Sequence, residues 1–193
     1  STIIGGLSFG AHTMLIPDPR DIEHFCQQMM ACPPTRMTGV PTLYQMLVNY
    51  PVSRRIDFSR LRTAATGAAP LTGEDRARIE ALIGKGKLCD VFGMTETGPV
   101  HTMNPPGRIK PDAVGIPLPG TEARIVDLET GTLEMPCGEP GEIITSGPQV
   151  MQGYLNLPEE SARALRQWRG KTWMYTGDVG FMDEQGWFYL VDR

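Results

Sequence analysis

The segment Phe92-Gly93-Met94-Thr95-Glu96-Thr97-Gly98 combines several side chains that can handle a nucleotide. A glycine lets a ligand approach the backbone closely, because it has no side chain. An aromatic ring can cover a base, a hydroxyl can bond to a phosphate oxygen, and a carboxylate can bind hydrated Mg²⁺ on polyphosphate. Short glycine motifs have many false matches. Taken alone, the segment is better explained as a strand-to-helix turn in which Thr95 or Glu96 caps a helix.

A second candidate is Tyr175-Thr176-Gly177-Asp178, a predicted turn that ends in a carboxylate. An acidic side chain that accepts from ribose hydroxyls is a recurrent device in nucleotide sites. By itself, however, an aspartate in an ordinary turn is the more frequent case. The segment Gly141–Tyr154 alternates like a strand that ends in tight turns, and we interpret it as scaffold without a ligand role.

The elements that position these residues predict an α/β fold. Residues 1–113 are expected to form a mainly parallel sheet with flanking helices. The predicted strands are Thr13–Pro17, Leu61–Thr66 and Lys87–Phe92; the predicted helices are Asp21–Ala31, one that starts at Pro41, and one from Thr72 to Gly84. The strand breaks at Gly67 and Gly93 both fall at carboxyl ends, the edge where ligands bind in open α/β sheets.

Residues 114–193 have a different pattern and predict a smaller, mainly antiparallel β lobe. Strands are expected at Thr121–Asp127 and Glu142–Ser146, and a hairpin at Phe181–Val191. Glycine and proline recur every few residues, and only Pro158–Gln167 has a helical pattern.

Composition excludes several classes of function. The net charge of −4, with no Lys/Arg block, gives no electrostatic footprint for nucleic acid. The cysteines form no Cys-x-x-Cys pair and the histidines have no metal-ligand spacing, so we expect reduced thiols in a cytoplasmic protein. Residues 1–17 are uncharged but interrupted by polar residues and glycines, and they fit neither a membrane span nor a signal peptide.

Five motifs together give a resemblance to a family. The segments Gly67–Pro70, Phe92–Glu96, Gly141–Tyr154, Tyr175–Asp178 and Asp192-Arg193 occur in the order and approximate spacing of the adenylate-forming (AMP-binding) superfamily. Within it, the chain most resembles bacterial long-chain fatty acyl-CoA ligases, with close matches at Gly39–Leu43, Ile125–Asp127 and Gly147–Tyr154. The resemblance covers essentially the whole chain and identifies it as a fragment of the family's large N-terminal domain.

The resemblance also implies a role for individual positions. Those assigned to nucleotide binding are Gly67, Ala68, Ala69, Pro70, Asp90, Val91, Phe92, Gly93, Met94, Thr95, Asp178 and Arg193. Gly67–Ala69 would form one wall of the adenine pocket and Phe92 would lie against the other face of the base, with Asp90 near its exocyclic amine. Asp178 and Arg193 would hold the ribose.

The catalytic positions implied by the resemblance are Thr95 and Glu96. Thr95 would bond to the α-phosphate, and Glu96 would bind the Mg²⁺ that bridges the ATP phosphates. Gly93, Met94 and Gly98 would lie beside the acyl carboxylate. In the implied reaction, a fatty acid attacks ATP to give acyl-AMP, and coenzyme A then displaces AMP to give the thioester.

Two parts of the family pattern are absent, namely the phosphate loop that ends in lysine and the C-terminal domain. We therefore expect the fragment alone to be inactive, and its unpaired strand edges to favour self-association. The full-length enzyme is expected in the cytoplasm, with peripheral contact at the inner face of the membrane to collect fatty acid.

Three alternatives compete with this interpretation. The substrate of the same chemistry could be an aryl or short-chain acid. A non-catalytic nucleotide-binding scaffold is disfavoured, because a degenerate member is expected to lose Glu96 or Asp178. A membrane-interaction module is disfavoured because there is no basic amphipathic helix.

Overall fold

The computed structural model describes residues 6–69 and 71–192. By its internal contacts the chain divides into two units, Ser1–Asp90 with Pro105–Pro111 and Val91–Asn104 with Asp112–Arg193. The boundary expected from the sequence, between residues 113 and 114, stays a prediction. Two of the predicted site residues, Pro70 and Arg193, lie outside the described part of the chain.

The first unit is built on three parallel strands in the order β1 (Arg36–Gly39), β2 (Thr63–Thr66) and β3 (Leu88–Phe92). Parallel neighbours need long connections, because each strand must start again at the same edge of the sheet. Helix α2 (Pro41–Asn49) connects β1 to β2, and α3 (Gly73–Ile83) connects β2 to β3. Helix α1 (Ile22–Ala31) precedes β1, and a short 3-10 helix, Pro51–Arg55, follows α2.

Local signals in the sequence determine where these helices begin and end. The side chain of Asp21 accepts a hydrogen bond from the backbone N–H of His24 at 3.0 Å, and Thr72 does the same for Asp75 at 3.1 Å. Each bond satisfies an N–H that has no partner inside the helix, which stabilises a helix by about 1 kcal/mol. Gly84 follows α3 with φ of 107°, a conformation that suits glycine.

The core of the first unit lies between these helices and the sheet. Its buried residues come from all three helices and from the strands, and they include Phe25, Cys26, Met29, Met37, Tyr44, Leu47, Ala64, Ile79, Ile83 and Leu88. Tyr44 is completely buried, yet its hydroxyl donates to the carbonyl of Ala65 in β2 at 2.9 Å. Burying each large apolar side chain contributes roughly 1.5–3 kcal/mol, so this packing stabilises the sheet that carries the loops described below.

The second unit is mainly antiparallel. Val91 and Phe92 at the end of β3 pair with β4 (Thr102–Met103), which pairs with β5 (Ile116–Pro117). A second sheet has the strand order β10 (Phe188–Asp192), β9 (Lys171–Met182), β7 (Gly141–Ser146) and β6 (Glu122–Val126). Helix α4 (Pro158–Ala164) leads directly into β8 (Leu165–Trp168), which also pairs with β9.

The predicted fold class, a mainly parallel sheet with helices followed by a mainly antiparallel lobe, is confirmed. One predicted element is wrong, and another is predicted too long. Residues 13–17 form no strand, because none of the described strands pairs with them and an extended segment needs ladder hydrogen bonds to join a sheet. The helix expected over Pro158–Gln167 ends at Ala164, because Leu165 and the residues after it pair with β9.

No helix within residues 6–69 and 71–192 has both the length and the apolar character that crossing a membrane requires.

Candidate functional site

The loop after β3 is held close to a neighbouring stretch of backbone. A Cβ atom on Gly93 would lie 2.2 Å from the carbonyl oxygen of Pro99 and 2.7 Å from the Cα of Val100. Real Cβ atoms do not come this close to backbone, so the approach is open only to glycine. The requirement for Gly93 is therefore one of close packing, and it fixes the path by which the loop leaves the strand.

The next residues form a single 3-10 turn, Thr95–Thr97. Thr97 is fully buried, and its Oγ1 both accepts from the N–H of Met94 at 3.1 Å and donates to the carbonyl of Met94 at 3.0 Å. The capping of this turn is thus performed by Thr97, whereas the sequence pointed to Thr95 or Glu96. Thr95 is exposed, and its hydroxyl makes no hydrogen bond to the described residues, so it can bind a ligand oxygen.

Glu96 is half-buried and is held from the far end of a long loop. The hydroxyl of Tyr154 donates to Glu96 Oε1 at 2.8 Å, and the N–H of Met151 donates to the Glu96 carbonyl, also at 2.8 Å. Ser161 in α4 accepts from the N–H of Tyr154 at 2.8 Å and so anchors the tyrosine in turn. The pKa of Tyr154 is raised, first by the hydrogen bond that its hydroxyl donates to Glu96 and second by partial burial. The carboxylate oxygen is therefore oriented by a neutral donor.

Beneath the loop lies a buried histidine. The ring of Phe92 meets the ring of His101 edge-on, with centroids 4.7 Å apart and an interplanar angle of 66°. His101 is fully buried, and neither of its ring nitrogens hydrogen-bonds to the described residues. Burial without a partner disfavours the imidazolium and lowers the pKa of His101 to about 4. The ring is therefore neutral near physiological pH and supports Phe92 as an apolar surface.

The first unit contains the other glycine loop and the acidic residue of β3. Thr66 lies opposite Asp90 in the parallel register of β2 and β3, and Gly67 follows Thr66 directly. The carboxyl end of β2 therefore lies beside the middle of β3. Ala68 has φ of 68°, an unusual conformation for a residue with a side chain. Asp90 forms an ion pair with Arg76 of α3.

Asp178 lies in β9, within the second unit. The sequence interpretation of Tyr175–Asp178 as a turn is wrong, because these residues lie inside the long strand Lys171–Met182. The pairing register with β7 shifts between Glu142 and Ile144, opposite this stretch of β9, and Gly177 has φ of 73°. Such a bulge re-aims a side chain out of the regular alternation. Asp178 is only 7% exposed, and its N–H donates to the hydroxyl of Thr176 at 3.1 Å.

Metal chemistry at the site is limited by the number of available ligands. Among the described residues there is no group of three or more His, Cys, Asp or Glu side chains that could hold an ion. Mg²⁺ on a polyphosphate needs less, because it keeps several waters and takes one or two carboxylates. Glu96 is a half-buried carboxylate. Among the side chains that the structure describes, only Tyr154 hydrogen-bonds to it, through one of its two oxygens, so Glu96 can serve as a ligand for such a hydrated Mg²⁺. Burial raises the pKa of the Cys89 thiol to about 11, which disfavours the reactive thiolate form near neutral pH.

Three of these residues were not predicted from the sequence. Tyr154 was interpreted as part of a scaffold. Its contact with Glu96 joins residues 58 positions apart in the chain, and the local sequence does not reveal such a contact. Arg76 was one charge among several on a helix. For His101 the sequence indicates only the absence of metal-ligand spacing, and the structure places it in the buried interior. A signal existed only for Tyr154, since it lies in a segment that matches the family.

Comparison with known proteins gives a consistent result. Residues 1–155 match the model of the family described as "AMP-binding enzyme". The chain is 44% identical over 161 residues to a long-chain-fatty-acid–CoA ligase of Bacillus subtilis, covering 83% of this chain and 28% of that protein. It is 36% identical over 198 residues to 4-coumarate–CoA ligase 2 of Solanum tuberosum, covering 100% of this chain and 35% of that protein. The chain thus spans about a third of the length of these relatives.

Solved structures agree with the sequence comparisons. ATP-bound MatB from Rhodopseudomonas palustris superposes with a TM-score of 0.74 at 33% identity, over 93% of this chain and 34% of that one. The anthranilate CoA ligase AuaEII in complex with anthranoyl-AMP superposes with a TM-score of 0.84 at 25% identity, over 95% of this chain and 34% of that one. The family match over most of the chain and the shared fold lead to one conclusion: the chain belongs to the family of AMP-binding enzymes.

Proposed function

We propose that the chain is part of an AMP-forming acid–CoA ligase that activates a fatty acid with ATP and transfers it to coenzyme A. The observation that carries this proposal is the Phe92–Glu96 loop, which presents an exposed hydroxyl at Thr95 beside a carboxylate oriented by Tyr154. A hydroxyl and a positioned carboxylate are the groups that a metal-bound polyphosphate requires.

The proposed roles follow the resemblance position by position. Gly67, Ala68 and Ala69, with Pro70, contact the adenine, and Asp90 accepts from its exocyclic amine. Phe92 provides the aromatic surface for the base, and Val91 lies next to it in the chain. Gly93 and Met94 border the acyl carboxylate, Thr95 bonds to the α-phosphate, and Glu96 binds Mg²⁺. Asp178 accepts from the ribose hydroxyls, and Arg193 contacts the same sugar.

The proposed reaction has two steps that need no covalent enzyme intermediate. A carboxylate oxygen of the acid attacks the α-phosphorus of ATP, the bond to the bridging oxygen breaks, and pyrophosphate leaves. The coenzyme A thiol then loses its proton and attacks the acyl carbonyl, and AMP leaves. The chain contributes the positioning of the reactants and compensation of the developing charge, which together lower the barrier of such a reaction. Mg²⁺ supplies neutralisation of the phosphate charge when it is bound.

The acid is proposed to be a long-chain fatty acid, because the motifs at Gly39–Leu43 and Gly147–Tyr154 resemble those of bacterial long-chain ligases. The relative from Bacillus subtilis carries that name. An aryl acid is the second candidate, supported by the similarity to 4-coumarate–CoA ligase 2 over the whole chain. Coenzyme A as acceptor is proposed in both cases.

Because the proposed substrates ATP and coenzyme A are cytoplasmic, we propose the same location, with peripheral membrane contact in the full-length protein.

The test is ATP–pyrophosphate exchange by a full-length ligase that contains this chain. Saturated fatty acids of different lengths and 4-coumarate would be compared as the activating acid. We expect exchange with long fatty acids, reduced by roughly 100-fold or more in Glu96→Gln and Asp178→Asn, because each substitution removes a charge that acts on the nucleotide. Full activity of both variants would refute the site assignment. Binding of ATP without exchange for any acid would instead indicate the non-catalytic scaffold.

A further inference from the structure

The side chain of Arg76 bridges two acceptors on β3. Its Nη2 donates to Asp90 Oδ2, and its Nη1 donates to the backbone carbonyl of Leu88 at 2.8 Å. The Arg76 side chain is 12% exposed and that of Asp90 is 19% exposed. Because the guanidinium is planar and its donors are fixed relative to one another, two simultaneous bonds determine the orientation of the group. Glu80, one turn later on α3, lies 3.8 Å from Nη1 and is too distant for a hydrogen bond.

The location of this ion pair matters more than its contribution to stability. Asp90, in the middle of β3, lies opposite Thr66 at the carboxyl end of β2, and Gly67–Ala69 follow Thr66 directly. The pair therefore stands beside the glycine loop, with both of its side chains mostly buried. By comparison, the ion pair between Arg78 and Asp75 on the same helix is more open to solvent, because the Arg78 side chain is 49% exposed and the two groups lie 3.8 Å apart.

We propose that Arg76 is a positioning residue for purine selection, which holds Asp90 so that it accepts from the 6-amino group of adenine and repels a 6-oxo group. The proposal rests on the proposed function, in which Asp90 contacts the base. An ionised carboxylate can only accept hydrogen bonds and offers about four lone-pair directions, so the bond from Arg76 leaves it able to accept another. The guanidinium stays charged and stabilises that acceptor-only form.

The chemistry of the two purines makes the difference measurable. The 6-amino group of adenine donates to a carboxylate, whereas the 6-oxo group of hypoxanthine presents a second acceptor to it. Sites that bond a polar substrate group reject analogues that leave their polar atoms unpaired. Without the bond from Arg76 the Asp90 carboxylate is held less firmly and can turn away from the 6-oxo group, so loss of Arg76 should reduce the selectivity more than the turnover.

The experiment measures KM and kcat for ATP and for inosine triphosphate in pyrophosphate exchange by the full-length ligase. In Arg76→Gln we expect the preference for ATP over inosine triphosphate to fall about tenfold. A hydrogen bond to a charged group typically contributes a factor of at least this size. The kcat at saturating ATP should change by less than about twofold. Arg78→Gln, the same substitution two positions along α3, should leave the preference unchanged.

A double-mutant cycle separates positioning from mere stability. In Asp90→Asn the amide can donate to a 6-oxo group, so the preference should fall in this variant too. Adding Arg76→Gln to Asp90→Asn should then have no further effect on the preference. Additive effects, or KM values for both nucleotides that rise in parallel, would overturn the proposal and leave Arg76 as a structural residue.

Folding of each variant is checked by thermal unfolding. If Arg76→Gln does not fold, Arg76→Lys keeps the charge but not the two-acceptor geometry, and it should lower the preference by an intermediate factor. An unchanged preference in a folded Arg76→Lys overturns the proposal. A wild-type protein that binds neither nucleotide contradicts the proposed function itself, and the two failures are therefore distinguishable.

Discussion

At the scale of single residues, the bond between Tyr154 and Glu96 has two opposing effects on a bound metal. Donation from the hydroxyl draws charge away from the carboxylate, which weakens its attraction for a cation. The same bond fixes a flexible glutamate, whose ordering otherwise costs up to about 2 kcal/mol. Since one neutral donor withdraws little charge, we expect the positioning effect to be the larger.

Replacing Tyr154 by Phe in the full-length ligase should therefore raise the Mg²⁺ concentration needed for half-maximal exchange about tenfold, equivalent to about 1.4 kcal/mol. The kcat at saturating Mg²⁺ should change little. Tyr189→Phe is the matched control, because it removes a tyrosine bond to a different carboxylate, that of Asp183 at 3.1 Å. Direct binding of Mn²⁺ in the presence of ATP, followed by electron paramagnetic resonance, provides a second measurement. Equal Mg²⁺ dependence in Tyr154→Phe and wild type would show that the bond has no positioning role.

His101 makes stability depend on pH in a calculable direction. Its folded-state pKa of about 4 lies below the ordinary value of 6.5, so between these values the unfolded chain binds more protons than the folded one. Stability is therefore lost as pH falls from about 6.5 to about 4, by up to about 3 kcal/mol in total. Above the ordinary pKa, the histidine has no such effect.

The variant His101→Leu should flatten this part of the pH dependence. Urea unfolding between about pH 7 and pH 4 should show a smaller loss for the leucine variant than for wild type, because leucine cannot take up a proton. At about pH 7 the variant should be at least as stable, since two buried nitrogens without partners are removed. His24→Gln, at an exposed position of α1, serves as the control. Parallel curves for wild type and His101→Leu would contradict the assigned cause.

At the scale of elements, the helices were predictable because their signals are local. Asp21, Thr72 and Gly84 act within one turn of the helix ends that they determine. Strands were harder, because pairing decides them. Leu165–Trp168 has the pattern of a helix end, but it forms a strand because it pairs with β9. Arg36–Gly39 has only 4 residues, too few for a clear strand signal, and it forms β1 because it pairs with β2.

The candidate site divides in the same way. The Phe92–Glu96 loop was a candidate from its own residues, because a glycine exit from a strand and adjacent polar groups are visible in sequence, but only the resemblance to a family gave it a role in nucleotide binding. The residues that orient the two acidic side chains were not predicted from the sequence. Tyr154, which bonds to Glu96, comes from a separate segment, and Arg76, which bonds to Asp90, comes from a helix. The bulge that re-aims Asp178 also depends on a partner strand, β7, and a single strand's sequence does not reveal it.

At the scale of the whole molecule, the parallel sheet has an open edge in the part of the chain that the structure describes. Strand β1 pairs with β2 on one side, and none of the described strands pairs with its other side. Such an edge presents unpaired backbone donors and acceptors to other molecules, and natural proteins protect edges with lysine, proline or a covering segment. Thr38 in β1 is exposed and uncharged, so the edge carries no charge at this position.

We therefore expect the 193-residue chain to self-associate at rising concentration. Sedimentation velocity should show a larger species that disappears in Thr38→Lys, because a charge on the edge opposes pairing with another strand. Gln27→Lys adds the same charge to the exposed face of α1 and should leave association unchanged, which excludes a general effect of net charge. A wild-type chain that stays monomeric at all accessible concentrations would show that the β1 edge is not adhesive. Association that persists in Thr38→Lys would place the contact at another surface.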